Sequence, residues 1–291
     1  MGAILVHLSL GAYLAATAAY LTWLVKPLPR LATAGRALLG AGLVCHLGAF
    51  AHAMATNPTA APWRGGQLFS MLAAVTVLAY LALDLKYELP VAGSFVGPLT
   101  VAAMVPAHLA GAGVATSGAA SAYPVLSGWL LPFHVAAATL GSVALLLAFA
   151  LAVLYLVSER QLKRKMPGRL LSRLPSLELV DRLGWQLSVW GFVLLSVVIV
   201  TGSFVTKQTG LGFFKLDGKS GFALLAWALF AASIQARLVA GWRGRRVAAL
   251  VVVGFLLLVC SYAGLLAQSP LGIAPRDGTP ASVRSNANRD G

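Results

Sequence analysis

Five histidines are the residues of this chain best suited to chemistry: His7, His46, His52, His108 and His134. Imidazole is a common ligand for metal ions and for haem iron, and it is costly to place in lipid without a partner. The two cysteines, Cys45 and Cys260, offer less. Neither stands in a C-x-x-C or C-x-x-C-H arrangement, so the sequence has no dithiol redox pair and no motif for covalent haem attachment. Both lie in apolar runs, where small apolar packing is the expected role. No nucleophile–base motif and no phosphate-binding glycine loop in a polar context is present. A soluble-type enzyme site is therefore not expected.

The elements that must position these histidines are membrane spans. The chain has 291 residues, of which 59% are hydrophobic and 10% charged, against roughly 25% charged in a soluble domain. Its apolar residues fall in runs at 4–25, 31–54, 68–83, 91–114, 129–157, 185–205, 221–240 and 247–266. A span needs about 20 such residues. The third run is short, and the fifth is long enough to tilt or project. Backbone in lipid must satisfy its own hydrogen bonds, so the fold class is all-α, with eight transmembrane helices. The organisation is an N-terminal four-helix region (1–114), a second membrane region (129–268) and a polar tail (269–291) expected to be disordered.

A net charge of +14 would suit nucleic acid in a soluble protein. Here the loops account for it, and no nucleic-acid partner is expected. The first loop carries Lys26, Arg30 and Arg36, and the third carries Lys86. The fifth carries Arg160, Lys163, Arg164, Lys165, Arg169, Arg173 and Arg182. The seventh carries Arg237, Arg243, Arg245 and Arg246. That puts 15 cations on one side and 7 on the other. Cytoplasmic loops hold the excess, so both termini are expected outside a bacterial-type cytoplasmic membrane. The first run lacks a basic region before it and has Lys26 and Arg30 after it, as an uncleaved N-out anchor does. The fifth loop, 158–182, is basic and amphipathic and interrupted by Pro167 and Pro175. It fits an interfacial segment held by anionic lipid, with a cytoplasmic docking surface as the alternative. The fourth loop, 115–128, is uncharged and rich in Gly, Ala and Ser, suited to a flexible outer cover.

With this topology all five histidines fall toward the outer side. His7 is near the start of the first helix, and His52 is at the outer rim of the second. His46 is about 12 Å below the end of that helix near Met54. His108 is in the last turns of the fourth helix. His134 is in the first turn of the fifth, just after Pro132. His46 and His52 are six residues apart, about 120° around a helix, so they serve different neighbours. An interfacial or core imidazole bonded to a backbone carbonyl is the plainer role for His7, His52, His46 and His108.

Three features after residue 130 go together. L-P-F-H-V (131–135) opens a long helix ending in the basic loop. L-P-S-L-E-L-V-D-R-L-G-W (174–185) leads into a helix with W-G-F (190–192) and T-G-S-F (201–204). A short outer loop, G-L-G-F-F-K-L-D-G-K-S (210–220), precedes a helix with Trp227 that ends in A-R-L-V-A-G-W-R-G-R-R (236–246). In order, spacing and topology this resembles the cytochrome c assembly family of membrane haem-handling proteins, the CcsA, CcmC and HemX-type group. The motifs cover residues 129–268, and the eight-span plan extends the likeness to the whole chain.

In that family an outer loop of the form W-G-x-x-W-x-W-D-x-K-E presents indoles to haem, and flanking outer histidines are axial ligands. Gly212, Asp217 and Lys219 match the Gly, Asp and Lys of the pattern. Leu211, Phe214 and Leu216 replace its tryptophans, Ser220 replaces its Glu, and the loop is one residue shorter. Phe213 and Phe214 still offer flat apolar faces, without an indole N–H. Lys215 or Lys219 can pair with haem propionates as point charges. The plainer role of the loop is a helix connection, with Asp217 capping the next helix. His134 matches the first outer histidine. The second would follow the last helix, where this chain reads A-Q-S-P (267–270). Gln235 stands where members with a deeper haem site have a histidine, so no inner bis-histidine haem is expected.

The resemblance implies non-covalent haem bound or presented on the outer face during cytochrome c biogenesis. His134 would be an iron ligand, with His108 or His46 as the second by position alone. Its partners would be membrane lipid and cytochrome c maturation components. A HemX-type regulator, controlling tetrapyrrole synthesis through a haem-synthesis enzyme docked on the basic loop, is the alternative. A small-solute transporter is the third, and the scarcity of intramembrane charges and of repeated broken helices speaks against it.

Overall fold

The computed structural model describes residues 2–26, 28–56, 67–111, 130–163, 176–208 and 218–268. The fourth loop, the tail and most of the loop 210–220 lie outside the described residues. So does the basic stretch 164–175.

Among the described residues the structure is all-helical. The helices are α1 (Gly2–Val25), α2 (Pro29–Thr56), α3 (Gln67–Tyr87), α4 (Pro90–Gly111), α5 (Leu130–Lys163), α6 (Leu177–Gln208), α7 (Gly218–Leu238) and α8 (Arg245–Gln268). Seven of them are long and apolar enough to cross a membrane, and α4 contributes a shorter apolar stretch at Pro90–Val105. The third run proves longer than its hydropathy indicated, because α3 continues through Asp84 to Tyr87. The fifth loop proves shorter. α5 runs on through Arg160 to Lys163, where Lys163 pairs with Glu159 one turn back at 2.7 Å. α6 starts at Leu177 because the Ser176 hydroxyl accepts the Leu179 N–H at 3.2 Å, an N-cap that opens the helix well before its apolar run.

Pro29 and Pro90 open α2 and α4, where a missing N–H costs nothing. The α3–α4 connection is only two residues, with Glu88 at φ 52°. α7 closes with Gly241 at φ 62°, and the Trp242 N–H reaches back to the Ala236 carbonyl at 3.0 Å.

α1 packs along α2 and α4 in one half, and α5 packs along α6 and α8 in the other. α5 also touches α3 and α4 and is largely buried, so it is the seam between halves. Small residues allow the close approaches, as membrane helix packing requires. A Cβ on Gly42 would sit 2.7 Å from the Tyr13 ring, and one on Gly191 would sit 2.5 Å from Leu145. Cys45 is half-buried, whereas Cys260 is exposed on the outside of the bundle, so the packing role expected for Cys260 does not hold.

The two ends of the bundle differ in chemistry. At one end Arg36 pairs with the buried Asp84 at 2.8 Å. Arg237 there forks onto both oxygens of Asp181, at 3.0 and 2.7 Å, and lies 4.7 Å from the Trp185 ring centre. The opposite end holds the histidines.

Candidate functional site

His134 lies one turn into α5, and Thr201 lies near the end of α6. The helices are antiparallel neighbours, so the start of one meets the end of the other. His134 Nδ1 is 2.6 Å from Thr201 Oγ1. The Thr201 hydroxyl has one proton, and the Val197 carbonyl, 2.7 Å away along α6, can only accept. With the proton donated there, Oγ1 accepts from the imidazole, Nδ1 carries the ring hydrogen and Nε2 carries the lone pair. This is the tautomer that ligates a metal through Nε2, held by a partner behind the ring. Thr201 is buried and His134 half-buried. Gly202 lies beside the imidazole, and a Cβ there would make an ordinary van der Waals contact of 3.7 Å with His134 Cε1.

Polar and aromatic groups continue this seam. Ser142 on α5 and Tyr262 on α8 share a hydrogen bond of 2.6 Å. Tyr262 meets Phe69 of α3 edge-on at 6.3 Å between ring centres, tying the two halves at the histidine end. The Trp227 indole N–H donates to Ser196 at 2.8 Å, and its ring stacks on Phe192 at 5.6 Å. Gly141, Ser142 and Tyr262 border a shallow groove between α5, α6 and α8. Gly141 is about 10 Å along α5 from His134.

The other histidines belong to the N-terminal half. His46 is buried, with Nδ1 3.2 Å from the Tyr13 hydroxyl and Nε2 2.6 Å from the Ser70 hydroxyl. Both its nitrogens are thus engaged, between α1 and α3. His108 packs its ring against His7, with centres 4.7 Å apart. His52 lies over the start of α1, where a Cβ on Gly2 would be 2.9 Å from its Cδ2. Gln235 is exposed. Phe213, Phe214, Lys215 and Asp217 lie outside the described residues, as does the side chain of Lys219. Among the described residues no group of three or more His, Cys, Asp or Glu is placed to hold a metal ion.

Sequence reasoning did not single out Thr201, Tyr13 or Ser70 as partners of these histidines. The signal was present as hydroxyl residues inside apolar runs, where each needs a hydrogen bond. Hydropathy does not say which helix supplies it.

The family model described as Cytochrome C assembly protein matches residues 37–268. A CcsA cytochrome c biogenesis protein of Trichormus variabilis is 34% identical over 116 residues, 39% of this chain and 33% of its own length. One from Guillardia theta is 30% identical over 163 residues, 50% of this chain and 54% of its own. One from Synechococcus sp. is 28% identical over 215 residues, 67% of this chain and 70% of its own. The first of these alignments spans about a third of the curated relative's length.

Proposed function

Because this chain belongs to the cytochrome c assembly protein family, we propose that it handles haem for cytochrome c biogenesis at the histidine end of its bundle. His134 is the residue that would hold haem iron, through Nε2. The observation that supports this reading is the 2.6 Å contact of His134 Nδ1 with the Thr201 hydroxyl, which suits the tautomer that coordinates through Nε2. Bound there, haem would supply the iron that this nitrogen coordinates. The chain's own residues bind and orient. Thr201 would set the tautomer. Phe213 and Phe214 would offer an apolar face, with Lys215 and Lys219 near the propionates and Asp217 ordering the start of α7.

His134 is the proposed ligand among the histidines because it matches the first outer histidine of the family pattern, whereas His108 packs on His7. The histidine end faces out of a bacterial-type cytoplasmic membrane, with both termini on that side. The excess of Lys and Arg in the odd-numbered loops supports this orientation.

The test is haem addition to the purified full chain in mild detergent, followed in the Soret region. A shifted, saturable band that His134→Ala removes supports the proposal. No band, or a band that His134→Ala leaves unchanged, overturns it. Deleting residues 163–169 distinguishes the regulatory alternative. Altered haem-precursor levels with intact c-type cytochromes would favour control of tetrapyrrole synthesis through the basic segment.

A further inference from the structure

We propose that His7 and His108 form a two-imidazole site for a bare divalent transition-metal ion, separate from the haem-facing residues. The two side chains come from different helices, α1 and α4, and meet at the histidine end. Their ring centres are 4.7 Å apart and their planes cross at 85°.

Three observations point to a metal rather than to packing alone. First, His7 Nδ1 is 2.6 Å from the Ala3 carbonyl. A carbonyl only accepts, so Nδ1 carries the hydrogen and Nε2 carries the lone pair. Second, His108 Nδ1 is buried and has no hydrogen-bond partner among the described residues. Buried polar atoms are nearly always paired, and an orphan in a native site calls for a water or an ion. Third, the spacing suits a small ion. With a metal–nitrogen bond of about 2.0–2.1 Å, each ring centre lies about 3.2 Å from the metal. Two imidazoles at a near-tetrahedral angle then have centres about 5 Å apart, while a trans pair across a porphyrin has them about 6 Å apart. The observed 4.7 Å matches the first arrangement and leaves no room for a macrocycle between the rings.

The ligand type narrows the ion. Neutral imidazole suits Cu(II), Zn(II) and Ni(II), with Cu(II) the tightest of the three. No third His, Cys, Asp or Glu joins the pair among the described residues, so water completes the shell. His7 is exposed on the bundle and lies near the start of α1, at the histidine end. Open positions and few protein ligands mark an exchangeable site rather than a closed structural one.

The experiment is Cu(II) titration of the tag-free full chain in detergent, read by electron paramagnetic resonance and equilibrium binding. The expected result is one ion per chain with splitting from two nitrogens. His7→Ala and His108→Ala should each weaken binding at least about tenfold, since loss of even an outer-shell partner costs that much. His134→Ala should leave it unchanged. No stoichiometric uptake, or uptake that His7→Ala leaves intact, overturns the proposal. Equal weakening in His134→Ala also overturns it. If His108→Ala does not fold, His7→Ala decides alone, because the exposed His7 ring adds little to the core.

Discussion

Replacing Thr201 by Val should weaken haem binding without unfolding the bundle. The two side chains share β-branching and shape, so α6 loses only a hydroxyl. Thr201 is 8% exposed, and its Oγ1 is 2.6 Å from His134 Nδ1. In the variant the Nδ1–H loses its acceptor, and the tautomer with the lone pair on Nε2 loses its advantage. Removing an outer-shell partner of a metal-binding histidine costs about 10–100-fold in affinity, or about 1.4–2.7 kcal/mol. The Val197 carbonyl also loses a donor, but it retains its helical bond and the change there is small. The assay is a haem titration of wild type, Thr201→Val and Thr201→Ser in one detergent, followed in the Soret region. Thr201→Ser keeps the acceptor and should bind nearly as wild type. The reasoning is refuted if Val binds as tightly as Thr, or if Ser is as weak as Val.

The other expectations concern the scaffold. His46→Ala leaves the Tyr13 and Ser70 hydroxyls without their imidazole, at about 1–3 kcal/mol; unfolding in detergent should show the loss while the Soret titration stays as wild type. Gly42→Ala puts a methyl 2.7 Å from the fully buried Tyr13 ring, so α1 and α2 must part, and the midpoint of thermal unfolding should fall by the equivalent of about 1–3 kcal/mol. Asp181→Asn breaks the fork with Arg237, whose side chain is 15% exposed. Between the exposed and buried limits for ion pairs, a loss of about 1–3 kcal/mol is expected, readable as faster proteolysis at the arginine end.

Much of the fold was legible because lipid simplifies the problem. Apolar run length gives helices, and prolines and glycines mark their ends. The misjudged boundaries have local causes. α3 outlasts its apolar run because Asp84 finds Arg36 and stays buried. α6 starts early because Ser176 caps it, which the apolar pattern at Trp185 could not reveal. The site was legible in part. His134 stood out by its place after Pro132 and by family resemblance. Its pairing with Thr201 spans 67 residues of sequence, and hydropathy carries no information about such a contact. The same holds for His7 and His108, which sequence placed at the same side of the membrane but not against each other.

The proposed role of His134 as a haem-iron ligand is tested most directly by the visible spectrum of the purified full chain with haem, oxidised and reduced, beside that of His134→Gly with and without added imidazole. The expected result is a bound-haem spectrum in the wild type, its loss in the variant and its return when imidazole fills the vacated place. A wild-type spectrum identical to that of His134→Gly, with no response to imidazole, would contradict it.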